Sequence, residues 1–138
     1  TWSGARRFDA GRPGGPTLRL DGDGATGQSP VDGVLSALAA CTSVDVVDIL
    51  TKQRTPPSRY DVDVTGERFD GTPARLVRIK LVYRIAGEGI ERAQALRAID
   101  LAVNKYCSVR DSLDPRIPVE YELELLQVGA PAAARSPR

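Results

Sequence analysis

The sequence contains no histidine, no methionine, two cysteines and only three lysines (Lys52, Lys80 and Lys105) among its 138 residues. Each shortage closes a class of chemistry. Without histidine, one chain can build neither a Ser-His-Asp or Cys-His catalytic set nor a histidine-ligated metal site. Cys41 and Cys107 stand 66 residues apart and do not make a zinc-ligand set between them. Nineteen basic groups against 18 acidic ones leave a formal charge of +1, without the clustered lysine and arginine that grips nucleic acid. Seven aromatic residues in all offer no interleaved stacking stripe for single strands. No uninterrupted apolar run approaches the roughly 18 residues of a membrane span, and the chain opens Thr1-Trp2 with no basic-then-apolar leader. The expectation is a cytoplasmic protein without resident cofactor or metal, bound to neither nucleic acid nor membrane. Any catalysis falls to thiols, carboxylates, hydroxyls or arginine.

What is present is an ordinary globular composition, 41% hydrophobic and 27% charged, long enough for one domain with its own core. We assign that domain to residues 1–128 and expect the Pro/Ala/Arg tail, 129–138, to be disordered. Residues 1–28 read as strand and turn, with Gly22 to Gly27 a loop and not a phosphate cradle, since no Gly-Lys-Ser/Thr follows. Ser29-Pro30 opens a helix: the serine caps, the proline suits the first turn, and Asp32 sits at the capping-box position. Val31, Val34, Leu35, Leu38, Thr42, Val46 and Leu50 carry its apolar stripe to about Lys52. Alanines on its other faces predict a central, largely buried helix, ended by Pro56-Pro57. Tyr60, Val62 and Val64, then Val77, Ile79, Leu81, Tyr83 and Ile85, alternate as two strands with a loop from Gly66 to Pro73. A second helix spans about Ile90 to Tyr106, and Cys107 to Leu113 forms a short extra turn. The last strand alternates Val119, Tyr121, Leu123 and Leu125 with Glu120, Glu122 and Glu124. Those glutamates are natural neighbours for Arg78, Lys80 and Arg84. The order ββ-α-ββ-α-β predicts an α+β fold with an antiparallel sheet.

Two segments carry a resemblance. Gly27 to Thr42, with Ser29-Pro30 opening a helix that holds Cys41, is similar to one signature of the OsmC/Ohr family. Lys105-Tyr106-Cys107-Ser108-Val109, a cysteine at a helix end before the final strand, resembles the other. Trp2-Ser3-Gly4 and Arg7 to Ala10 fit the family's first strand, so the likeness runs over about residues 1–126. It implies an OsmC-like α+β fold in an intertwined homodimer, with residues of both subunits lining a pocket for an organic or inorganic hydroperoxide. It implies that Cys41 attacks the peroxide, that Cys107 resolves the sulfenic acid as a disulfide, and that an external dithiol or lipoylated protein restores both thiols.

The attacking species is the thiolate, so a cation is required beside it. The resemblance points to an early-strand or early-loop arginine held by a carboxylate, and the candidates are Arg7 and Arg19. Here Val31 stands where the better-known branches have glutamate, and Asp32, one position later, lies about 100° around the helix. Asp32 is therefore read first as a helix cap and second as an orienter of the arginine. Asp45, four residues past Cys41, adds negative charge to the same face. The departure at Val31 fits a divergent branch. The rival reading is a non-catalytic small-molecule-binding or redox-sensing dimer that keeps the fold.

Overall fold

The structure is a computed structural model that describes residues 1–129; the expected disordered tail lies, apart from Gly129, outside the described residues. The elements are β1 (Arg7–Ala10), β2 (Leu18–Asp21), α1 (Pro30–Lys52), β3 (Arg59–Arg68), β4 (Leu76–Ala86), α2 (Arg92–Leu101), a π-helical turn (Ala102–Tyr106), α3 (Ser108–Asp111) and β5 (Val119–Leu125). The α+β class and the strand-helix order follow the expectation.

The sheet does not follow it fully. The strands form two sheets, an antiparallel β1–β2 hairpin and a three-stranded sheet in the order β3-β4-β5. Within the second sheet β3 and β4 are antiparallel, but β5 runs parallel to β4. The reason is the connection: α2 and the turns after it carry the chain back to the starting end of β4, and a crossover of this kind delivers a parallel neighbour. The charge alternation nevertheless identified the partner. Arg78 pairs with Glu120 at 2.6 Å, Lys80 with Glu122 at 2.8 Å and Arg84 with Glu124 at 3.0 Å.

The strand β3 continues through Gly66, which the sequence reading placed at the start of a loop. A Cβ on Gly66 would lie 2.7 Å from Leu76 Cδ2 and 3.1 Å from both Leu35 methyls. Glycine is there so that two leucines can close over the strand, and it carries no turn conformation. The real irregularity comes one step later, a register shift between Glu67 and Arg68.

Ser29 caps α1 as expected, its hydroxyl accepting from the Asp32 N–H at 3.2 Å. By length and composition this 23-residue helix could cross a membrane, although Asp32, Asp45 and Asp48 interrupt its apolar run. Leu38, Val46 and Leu50 are instead fully buried in the core of the chain. The inner face packs with Leu81, Tyr83 and Ile85 of β4 and with Ile99 and Val103 from the α2 region. The helix is not buried all round. Val34, Ala37, Ala40 and Val44 lie on exposed positions, Val44 at 61%. That corrects the expected largely buried helix: small residues permit close packing on every side, but the described residues of one chain supply neighbours for one side only. The β1–β2 hairpin also leaves Trp2, Phe8 and Leu18 exposed.

Candidate active site

Cys41 and Cys107 arrive from opposite directions. Cys41 sits mid-way along α1, one residue before the fully buried Thr42. Cys107 closes the π-helical turn, its N–H donating to the Ala102 carbonyl at 3.0 Å, five residues back. The widened turn ends the helix on the cysteine, which then caps α3. Such π turns recur at functional sites because they displace a side chain from its regular α-helical direction. Leu35, Leu38, Ile79, Ile117 and Cys107 form a compact apolar cluster against which Cys41 packs. The two thiols are free, and this cluster is where they meet. Cys107 is 3% exposed. Burial, first of all, pushes its thiol up from the ordinary range, and the neighbouring Cys41 adds to that. The Arg110 N–H, donating to Cys107 Sγ at 3.3 Å, acts the other way.

A buried hydroxyl network fixes the residues that follow Cys41. Thr42 Oγ1 donates to the Ala39 carbonyl at 3.0 Å and lies 2.6 Å from Tyr83 Oη. A threonine has one hydroxyl proton, so with that proton spent on Ala39 the Tyr83 phenol donates to Thr42. Tyr60 Oη donates to Ser43 Oγ at 3.0 Å, and Ser43 in turn donates to Ala39 at 2.6 Å. The two tyrosine rings meet edge to face with centroids 6.2 Å apart. Strands β3 and β4 thus hold α1 by polar contacts right beside the first cysteine. Burial pushes the Tyr83 phenol up to about 12 and also raises that of Tyr60.

The arginines expected beside Cys41 are engaged elsewhere within the chain. Arg19 forms a two-point pair with Asp9, at 2.7 and 3.2 Å. The Asp9 carboxyl is held down at about 2, chiefly by that bond. Arg7 donates to the Gly4 carbonyl at 3.3 Å. Asp32 lies in the first turn of α1 beside the Gly24–Ser29 loop. That loop is closed by Asp21, whose buried carboxylate accepts from Thr26 and Asp23 and is held at about 2. The structure therefore brings Cys41 to the cluster that holds Cys107, and within one chain leaves Arg7 and Arg19 on the hairpin and Asp32 in the first turn of α1.

One cationic residue beside the thiols escaped the sequence reading. Arg110 shares with Cys107 a cleft of about 200 Å³ that Asn104, Lys105, Asp111 and Pro115 also line. Its guanidinium donates to the carbonyls of Asp114 at 3.3 Å and Ile117 at 2.9 Å. Among the described residues no carboxylate forms an ion pair with it. The signal in the sequence was its position, three residues after Cys107 across a helix start.

Comparison with known proteins bears on the fold that carries this site. Residues 22–122 match the family described as OsmC-like protein. The chain is 33% identical over 113 residues to Protein YhfA of Escherichia coli K12, covering 81% of this chain and 84% of that one. It superposes on a hypothetical protein from Aquifex aeolicus VF5 with a TM-score of 0.81 at 24% identity, over 92% of each chain. The organic hydroperoxide resistance protein OhrB of Bacillus subtilis gives a TM-score of 0.52 at 15% identity, over 86% of this chain and 97% of that chain. The last two are likenesses of fold.

Proposed function

Because the chain belongs to the OsmC-like protein family, we propose that it is a thiol-dependent hydroperoxide reductase with Cys41 as the attacking and Cys107 as the resolving residue. One observation carries this reading: two cysteines 66 residues apart in sequence, with no other cysteine in the chain, meet at one apolar cluster, Cys107 within it and Cys41 packed against it. The Cys41 thiolate attacks one peroxide oxygen, the O–O bond breaks, and the alkoxide leaves as alcohol after taking a proton. The resulting sulfenic acid condenses with the Cys107 thiol, forming the disulfide and releasing water, which halts further oxidation. An external dithiol returns both cysteines to thiols and leaves as its own disulfide.

The same reading includes a homodimer. The exposed stripe Val34, Ala37 and Val44 on α1, with Trp2, Phe8 and Leu18 on the hairpin, is an apolar surface suited to a second copy. A second copy is also the available source of a cation for Cys41, given where Arg7 and Arg19 are engaged. The catalytic test is peroxide consumption with a dithiol. Wild type consumes an organic hydroperoxide, and Cys41→Ser abolishes turnover while leaving the fold intact. Undiminished turnover in Cys41→Ser overturns the assignment. The second reading, a non-catalytic binder or sensor, draws on the engagement of both early arginines away from the thiols. It predicts a folded wild type without dithiol-dependent turnover.

A further inference from the structure

We propose that the cleft beside Cys107 is the entry for the external thiol, and that this thiol attacks Cys107 Sγ of the disulfide and expels Cys41. The inference rests on the disulfide of the proposed function and adds which sulfur is attacked and from which side. Thiol–disulfide exchange depends on which sulfur an incoming thiolate can reach. Cys107, although 3% exposed, lines the cleft, whereas the more exposed Cys41 does not. The exposed edge of the half-buried Cys41 falls on the α1 stripe with Ala37 and Val44, at helical spacings of four and three. In the proposed dimer that stripe faces the second copy. An oxidant entering along it meets Cys41, and a thiol entering by the cleft meets Cys107.

The cleft suits a negatively charged nucleophile. Among the described residues the Arg110 guanidinium is bonded only to carbonyl oxygens, and of those lining the cleft Lys105 adds a second positive charge against the one carboxylate of Asp111. The burial that pushes the Cys107 thiol up also makes Cys107 the poorer leaving group, which favours departure of Cys41. The step balances: the thiolate R–S⁻ bonds to Cys107 Sγ, the Cys41–Cys107 bond breaks, and its electron pair leaves on Cys41 as a thiolate. With a dithiol, the second thiol then attacks the mixed disulfide and frees Cys107.

The test closes the full-length chain with diamide, which forms a disulfide from neighbouring thiols without peroxide. A limiting pulse of glutathione, an anionic monothiol, follows, with acid quench, maleimide blocking of free thiols and peptide mass spectrometry. The expected result is glutathione on Cys107 and maleimide on Cys41 in at least tenfold excess over the reverse. In addition, Arg110→Gln slows reduction by 3-mercaptopropionate several-fold more than reduction by cysteamine. Glutathione mainly on Cys41, an even distribution, or a chain that diamide cannot close overturns the inference. A chain that diamide closes and glutathione opens at Cys107, but that peroxide leaves reduced, upholds this inference and overturns the peroxidase reading.

Discussion

Replacing Thr42 by valine should destabilise the chain more than replacing its partner Tyr83 by phenylalanine, and combining the two should recover part of the loss. In the folded chain Tyr83 donates to Thr42, and Thr42 donates to the Ala39 carbonyl. Both side chains are fully buried. Thr42→Val preserves shape but strands a buried phenolic O–H, a loss of about 1–3 kcal/mol. Tyr83→Phe leaves Thr42 its donor bond and removes only an incoming one, a loss of about 0.5–1.5 kcal/mol. In the double variant no donor is stranded, and swapping both partners for apolar groups is close to neutral for the pair. The double variant should therefore be more stable than Thr42→Val alone, by about 1 kcal/mol, with a coupling energy of about 2 kcal/mol, which is that recovery plus the cost of Tyr83→Phe. Urea denaturation monitored by circular dichroism reads all four proteins, and about 1 kcal/mol corresponds to roughly 4 °C in a parallel thermal scan. Losses that simply add, with the double variant the least stable of the four, would refute the hydrogen-bond assignment and with it the polar clamp beside Cys41.

Three further outcomes follow from the same geometry. The Tyr83 phenol is raised from 10.0 to about 12 by burial, so the unfolded chain gives up this proton first; the associated stability, about 3 kcal/mol, is whole below pH 10 and lost as pH rises towards 12. Urea midpoints should drop steeply across that alkaline window, less so in Tyr83→Phe, and equal drops would contradict the burial argument. Leu38→Ala empties a fully buried site in the cluster that holds Cys107 and should cost about 2–5 kcal/mol, read as a lowered denaturation midpoint. Val44→Asp puts a charge on the exposed apolar stripe of α1; analytical ultracentrifugation should show a dimer converted to monomer at micromolar concentration, and an unchanged sedimentation coefficient would argue against that face as the interface.

Which parts of this account the sequence made legible depends on whether the controlling interaction is local. Ser29-Pro30 announces α1 because capping is settled within four residues, and the pairing of Arg78, Lys80 and Arg84 with the three glutamates shows as two matching alternations. Alternation reads the same in either direction, so it could name the neighbour of β5 but not its parallel sense. Helical periodicity groups Val34 and Val44 with other apolar residues, yet cannot say that both stay exposed among the described residues. Gly66 was misread because its constraint comes from Leu35 and Leu76, on other elements. At the site, both cysteines were visible from the two signature segments, and their meeting at one apolar cluster required the fold. Arg110 was missed because the resemblance directed attention to the early strands, where Arg19 and Asp9 satisfy each other.

The most direct test is to treat the reduced wild-type chain with one equivalent of an organic hydroperoxide and weigh the intact protein and its peptides. The expected product has lost two hydrogens, about 2 Da, with a single cross-linked peptide pair joining Cys41 to Cys107 inside one chain. A folded protein that keeps both thiols free under excess peroxide, or that climbs to the sulfinic acid at Cys41 with Cys107 untouched, would contradict it.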